Sequence, residues 1–238
     1  MLAKRIIPTL LHRGETLVKG KQFNAWRSVG HVQQAARIHA MRGVDELVIL
    51  DIGATPEGRE PDFDLVEKLT EGNFCPIAVG GGISTVEQVW RLLRSGADKV
   101  VIGNKSIPPH LLVKPVADKV GCQAIVVAID HINGRCTAAD AVESAKIMEA
   151  HGAGEILLTS IDREGMMEGY DLKTIEDVAK SVTIPVIAHG GCGCYEHMYQ
   201  AIQAGASAVA AGAMFLFTDQ TPRGAAEYLH GRGIEVRL

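Results

Sequence analysis

The sequence has few aromatic residues, no long apolar run and no block of basic residues. Phe, Trp and Tyr make up 5% of the 238 residues, and no apolar run approaches the roughly 18 residues of a membrane-spanning helix. The net charge is −4 and Lys and Arg are dispersed, which argues against a nucleic-acid or membrane partner. The N-terminus also lacks a secretory signal, so we expect a cytoplasmic protein that acts on small molecules.

Cysteine is scarce and odd in number. The five cysteines are Cys75, Cys122, Cys136, Cys192 and Cys194. This number does not suit a disulfide framework, so we expect free thiols. Cys192 and Cys194 lie two residues apart, but no second cysteine pair completes a zinc site. We therefore expect neither a metal nor another cofactor.

Aliphatic residues dominate what is present, since 47% of the chain is hydrophobic. Eight short aliphatic runs recur, at residues 5–11, 46–53, 76–81, 99–103, 124–130, 155–161, 185–191 and 208–215. Segments with helical spacing separate them, and several of these end in glycine. The length is close to the roughly 250 residues of one α/β barrel. The pattern predicts an α/β fold, a (β/α)8 TIM barrel that spans residues 1–238 as a single domain.

The chain also repeats itself. Residues 42–52 resemble residues 151–161, and residues 80–103 resemble residues 190–212, at an offset of about 107 to 110 residues. Solenoid repeats are much shorter than this. We therefore predict a barrel made of two fused half-barrels.

Glycines follow four of the predicted strands, at the barrel end where active sites form. Backbone N–H groups exposed at such positions can hold a phosphate, and the repeat supplies the arrangement twice, so we expect a ligand with two anionic ends. Alternatively, the glycines only permit tight turns. The candidate phosphate-binding residues are Gly81, Gly82, Gly103, Asn104, Gly190, Gly191, Gly212 and Ala213.

Two carboxylates end predicted strands at the same face. Asp130 should project into the barrel mouth, where it could act as a general acid or base, and Asp51 is a second candidate. Either residue could instead cap the turn that follows its strand. The position equivalent to Asp130 in the first half is Leu11, so the repeat lacks a symmetric acid/base pair.

Charged residues begin four of the predicted strands: Arg5, Glu46, Lys99 and Glu155. Because the strands are expected to be parallel, these side chains should form one layer across the other end of the barrel. Two cations and two anions there could pair as a ring. They could also simply face solvent.

The residues resemble the cyclase subunit family of imidazole glycerol phosphate synthase. The matching stretches run along the chain: MLAKRII, LVKG, DELVILDI, GGGI, GADKVVI, AIVVAID, GAGEILLTSIDREG and GYD. The resemblance implies a barrel that binds a glutaminase at its N-terminal face and receives ammonia through its interior. It makes the four charged residues an ammonia gate and Asp98 an interface residue. It also makes Lys19 a loop lysine near the substrate and a catalytic candidate, Asp130 a catalytic residue and Gly169 part of a phosphate-binding loop.

The sequence departs from that family on the active face. The family's first strand ends in a catalytic aspartate, where this chain has Leu11, and the serine before the last glycine pair is replaced by His189. His189 could substitute for a lost proton donor, because histidine titrates near neutrality, or it could hold the glycine loop. The first strand and residues 57–63 resemble a branch associated with surface-polysaccharide clusters. There the barrel is thought to relay ammonia to a separate amidotransferase that makes acetamidino sugars.

Three functions follow from the resemblance. The favoured one is an ammonia-relay subunit for sugar amidination, and the alternative is an active cyclase of histidine biosynthesis, a lyase. The related two-phosphate isomerase of that pathway also depends on an aspartate at the end of its first strand, so Leu11 counts against it. A binding protein with no link to ammonia would leave both the charge layer and the duplicated glycine loops without a purpose.

Overall fold

The computed structural model describes residues 3–103, 109–136 and 139–238. In that part of the chain, eight parallel strands close into a barrel, because the first barrel strand pairs with both the second and the eighth barrel strands. The predicted (β/α)8 fold is confirmed. The barrel strands are β1 (Arg5–Arg13), β4 (Leu47–Asp51), β5 (Ile77–Gly80), β6 (Lys99–Ile102), β7 (Ile125–His131), β8 (Glu155–Ser160), β9 (Val186–His189) and β10 (Ala208–Ala211).

Helices follow the strands and pack around the barrel. They are α1 (Val32–Met41), α2 (Phe63–Thr70), α3 (Val86–Arg94), α4 (Pro109–Val120), α5 (Ala141–Ala150), α6 (Leu172–Ser181), α7 (Tyr195–Gln203), α8 (Ala213–Phe217) and α9 (Pro222–Gly231). Several begin at a polar residue whose side chain accepts a backbone N–H of the first turn, as Asp62 does from Leu65 and Thr85 from Gln88. Among the described residues, no helix is both long enough and apolar enough to cross a membrane.

The aliphatic strands bury both faces. Their outward side chains pack against the helices in the main core. Their inward side chains form a second apolar cluster inside the barrel, which includes Ile7, Val48, Val101, Val126, Leu157 and Ile187. Burial on both faces explains why the strands read as continuous aliphatic runs rather than alternating ones.

Strand register supports the predicted half-barrel repeat. Leu11 on β1 pairs with Leu50 on β4, and Asp130 on β7 pairs with Thr159 on β8. Leu50 and Thr159 are themselves equivalent in the repeat. Leu11 therefore occupies, in the first half, the place that Asp130 occupies in the second.

Two local elements differ from the sequence prediction. The last run, 208–215, is strand only to Ala211, and Ala213 begins the short helix α8. A hairpin that the aliphatic pattern did not indicate follows β1, formed by β2 (Thr16–Lys21) and β3 (Asn24–His31). Most residues of β3 are exposed, so this strand carries no buried apolar signal.

Candidate active site

A cavity of about 360 Å³ lies at the C-terminal end of the barrel. Its floor is aliphatic, with Leu11, Leu50, Val101 and Leu157 from four strands, and the hairpin adds the aromatic rings of Phe23 and Trp26. Polar side chains in its wall include Arg13, Asp51, Asp130, Thr159 and His189. The predicted acid/base candidates Asp51, Asp130 and His189 thus meet at one cavity, whereas Lys19 lies in an adjoining pocket.

The carboxylate of Asp51 is engaged by its own loop. Oδ1 accepts the backbone N–H groups of Gly53 at 2.9 Å and Ala54 at 3.1 Å, and Oδ2 lies 3.4 Å from two guanidinium nitrogens of Arg59. Asp51 is also almost fully buried. This is the capping arrangement that the sequence left open as its alternative, while a catalytic role for Asp51 stays a prediction.

Asp130 is the last but one residue of β7, lies at the cavity wall and is half-buried. Leu11 lines the same cavity from the equivalent point of β1, and it is 4% exposed. The cavity therefore has a carboxylate on one side of the repeat and a methyl-terminated side chain on the other. Of these two equivalent positions, only that of Asp130 can exchange a proton.

His189 is buried beside the cavity as a neutral ring. Burial, together with the positive charge of Lys19, lowers the pKa of His189 to about 3. Its Nδ1 lies 3.1 Å from the hydroxyl of Thr159, so the two groups share a hydrogen bond. A ring that stays uncharged near neutral pH is poorly suited to donate a proton as an imidazolium, and this environment favours the structural alternative for His189.

Lys19 reaches from β2 into the second half of the barrel. It is 4% exposed and forms an ion pair with Glu164, which is 1% exposed. Burial lowers the pKa of Lys19 to about 8. Glu164 was not identified from the sequence as a site residue, because it lies in the loop after β8, where no periodicity marks a buried side chain.

Two of the four predicted glycine sites, Gly81–Gly82 and Gly190–Gly191, occupy equivalent positions. A Cβ at Gly81 would lie 2.2 Å from the carbonyl oxygen of Asp51, and a Cβ at Gly190 would lie 2.5 Å from that of Ser160. Both glycines have positive φ, +114° and +91°. Close approach and backbone conformation therefore require glycine here, whether or not a phosphate binds.

The remaining candidate phosphate-binding residues differ from one another in their surroundings. Gly191 and Gly169 are joined, since the N–H of Gly169 donates to the carbonyl of Gly191 at 2.8 Å. Gly212 faces the end of Lys19, and Ala213 is buried at the start of α8. Gly103 lines the cavity, and a Cβ there would meet no described atom within 4 Å. Asn104 lies outside the described residues.

The four charged strand-start residues form a closed ring at the N-terminal end of the barrel. Arg5 lies 2.5 Å from Glu46 and 3.0 Å from Glu155, and the ammonium of Lys99 lies 3.0 Å from Glu46 and 2.9 Å from Glu155. Each cation thus bridges both anions. The predicted layer exists, and its charges pair with each other.

Asp98 stands next to this ring and is exposed at the same face. Its Oδ2 accepts the backbone N–H of Ile77 at 2.8 Å, which ties the starts of β5 and β6 together. Its predicted contact with a partner subunit stays a prediction. Among the described residues, no group of three or more His, Cys, Asp or Glu side chains is placed to hold a metal ion.

Comparison with known proteins identifies relatives of the whole chain. Residues 5–221 match the family described as histidine biosynthesis protein. Imidazole glycerol phosphate synthase subunit HisF of Chlorobium phaeobacteroides (strain BS1) is 43% identical over 251 aligned residues, and the alignment covers 100% of both chains.

Proposed function

This chain belongs to the histidine biosynthesis protein family, and we propose that it is the barrel subunit of a glutamine amidotransferase system. In this proposal a glutaminase docks at the N-terminal face, next to Asp98 and the charged ring. Ammonia passes through the barrel to the cavity at the other end. From the cavity the ammonia is transferred to a separate amidotransferase, which amidinates a sugar.

The single observation that carries the proposal is the apolar interior between the charged ring and the cavity. Beyond the ring of Arg5, Glu46, Lys99 and Glu155, the barrel interior is lined by buried aliphatic side chains as far as the cavity. Neutral ammonia can cross such a lining, whereas ammonium would have to give up its hydration without replacement partners. An apolar interior closed by a charged layer suits the selective passage of ammonia.

The acid/base groups of the cavity support relay over cyclisation. Leu11 cannot transfer a proton, both oxygens of Asp51 are engaged by its loop and Arg59, and His189 stays neutral. Asp130 is left as the main proton-transfer group. Loss of one of two acid/base groups commonly lowers a rate by about 10² to 10⁴.

The alternative is an active imidazole glycerol phosphate synthase cyclase. Full-length similarity to HisF favours it, as does the position of Asp130 at the cavity wall. In that case the paired glycine loops would hold the two phosphates of the substrate, and Asp130 would act as the general acid or base.

Turnover with ammonium separates the two functions. Purified protein would be assayed with the phosphoribulosyl formimino intermediate and excess ammonium at alkaline pH, which bypasses the glutaminase. We expect no measurable turnover by the unmodified protein and activity in Leu11→Asp, because that variant restores a carboxylate opposite Asp130. The matched control is Leu50→Asp, which adds the same charge to the same cavity on the neighbouring strand. Robust turnover by the unmodified protein would refute the relay.

A further inference from the structure

A small pocket beside the main cavity is already filled by an ion pair. Lys19 and Glu164 line it together with Gly190, Gly191 and Gly212, and its cavity volume is about 10 Å³. That space holds at most one water molecule. A phosphate cannot enter this pocket while both side chains remain there.

Only one carboxylate oxygen of Glu164 has a partner among the described residues. Its Oε1 pairs with Lys19, whereas its buried Oε2 has no hydrogen-bond partner among the described residues. An ionised carboxylate accepts hydrogen bonds on both oxygens, and a buried oxygen without a donor is unfavourable. A phosphate offers Lys19 a negative charge of the same kind, with further oxygens for neighbouring backbone N–H groups.

The loop that carries Glu164 also holds the hairpin in place. The backbone N–H of Gln22 donates to the carbonyl of Glu164 at 2.8 Å, and the Gln22 side chain donates to the carbonyl of Asp162 at 2.8 Å. The backbone of the loop packs directly on the backbone of the hairpin, since a Cβ at Gly165 would lie 2.3 Å from the carbonyl oxygen of Gly20. The position of the hairpin is therefore coupled to the position of this loop.

In the described part of the other half, Arg59 pairs with Asp51 beside Gly81, but no buried lysine–carboxylate pair is present. The residue equivalent to Glu164 is Thr55, whose hydroxyl accepts the backbone N–H of Gly82 at 3.3 Å. Gly82 and Gly81 open onto the large cavity. Both equivalent glycine pairs therefore lie near a carboxylate, Asp51 at Gly81 and Glu164 at the Gly190–Gly191 pair, but among the described residues only Glu164 pairs with a buried lysine.

We propose that Glu164 is an internal anion that competes with the phosphate end of a ligand for Lys19. This inference rests on the proposed phosphate-binding role of the Gly190–Gly191 loop, beside which Lys19 lies. When a phosphate enters, Lys19 exchanges the carboxylate for it, Glu164 leaves the pocket, and the hairpin contacts at Gln22 are released. Binding at this end of the barrel then opens the cover of the cavity.

Affinity for inorganic phosphate tests the competition, measured by isothermal titration calorimetry on the full chain. In Glu164→Gln the neutral amide no longer competes for Lys19, so we expect phosphate to bind about tenfold tighter or more. Glu168→Gln removes the same charge from an exposed position four residues along the same loop, and its affinity should be unchanged. Equal tightening in both variants, no tightening in Glu164→Gln, or no phosphate binding in any variant would overturn the proposal.

Fluorescence of Trp26 tests the coupling to the hairpin. In a Trp90→Phe background Trp26 is the remaining tryptophan, and acrylamide should quench it more strongly when phosphate is added. Glu164→Gln should show stronger quenching already without phosphate, while adding Lys19→Met should abolish the gain in phosphate affinity. Glu164→Asp keeps the charge on a shorter side chain, so its phosphate affinity and its quenching should lie between those of the unmodified protein and Glu164→Gln. Glu164→Asp replaces Glu164→Gln if that variant does not fold. Unchanged quenching throughout would refute the coupling.

These measurements are independent of ammonia transfer. A protein that fails to exchange phosphate could still conduct ammonia, and a protein with cyclase turnover could still use Glu164 as the competitor. Failure of this inference and failure of the proposed function are therefore distinguishable.

Discussion

Among the described residues, burial lowers the pKa of His39 and of His189 far below the usual value for histidine. Burial lowers the pKa of His39 to about 4, and His189 is lowered further, to about 3. The ring of His39 packs edge-on against Phe215, and its Nδ1 lacks a partner among the described residues. Protonation of either ring would place a charge in the core.

These histidines predict the direction of the pH dependence of stability. Their folded pKa values lie below the unfolded value of 6.5, so the unfolded chain binds more protons between pH 6.5 and 4. The free energy of unfolding should therefore fall as pH drops through this window, by about 2 to 3 kcal/mol for His39. Urea denaturation from pH 7 to pH 4 measures the slope. His39→Leu should flatten it and the exposed His230→Gln should not, and an unchanged slope in His39→Leu would contradict the prediction.

Cysteine reactivity should follow burial. Cys192 is 4% exposed and burial raises its pKa to about 12, whereas Cys122 is exposed. Alkylation requires the thiolate and access to it. Iodoacetamide at pH 8, followed by mass spectrometry, should label Cys122 first and label Cys192 only after denaturation. Early labelling of Cys192 in the folded protein would show that its pocket opens.

Single residues show where prediction from sequence succeeded and where it stopped. Leu11 could be matched to Asp130 because an internal repeat fixes strand equivalence without coordinates. Glu164 could not be identified, since its burial depends on a lysine 145 residues away. No local pattern records such a contact.

Among the elements, the charged ring makes the strongest prediction about stability. Glu46 is buried and pairs with both Arg5 and Lys99, so Glu46→Gln would leave those two cations with Glu155 alone. We expect a loss of about 2 to 3 kcal/mol in the free energy of unfolding, at the low end for a broken buried pair because the cations are partly exposed. Urea denaturation at neutral pH measures it. The exposed Glu71→Gln should change stability little, and a similar small effect in Glu46→Gln would mean that the ring adds little to stability.

The elements also separate what periodicity predicts from what it misses. The eight barrel strands were predictable because burial on both faces makes them uniformly aliphatic. The hairpin was not, because six of the eight residues of β3 are exposed and its position is fixed by contacts with the loop after β8. The end of the last strand was misplaced because Ala, Met and Phe at 213–215 are apolar in either a strand or a helix.

At the scale of the molecule, β1 closes the barrel by pairing with both β4 and β10. Each half thus completes the other, and Arg5, Glu46 and Lys99 of the first half share the ring with Glu155 of the second. We propose on this basis that the chain unfolds as one domain.

Comparison of two probes tests this proposal. Both tryptophans, Trp26 and Trp90, lie in the first half, whereas far-ultraviolet circular dichroism reports the helices of both halves. Urea transitions followed by the two signals should coincide, as in a cooperative transition. An earlier or later fluorescence transition would mean that one half unfolds separately.

The turn of the hairpin implies an order of assembly during synthesis of the chain. Gln22 and Phe23 form its two-residue loop with positive φ, at +52° and +57°, where Asn-Gly is preferred because bulky residues are strained. Such a turn is a poor nucleus on its own. Its stabilising contacts to Asp162 and Glu164 come about 140 residues later. During synthesis the hairpin emerges from the ribosome early, but it would be among the last segments to reach its folded position. The C-terminal end of the barrel would stay uncovered beside β1 until the loop after β8 has been made.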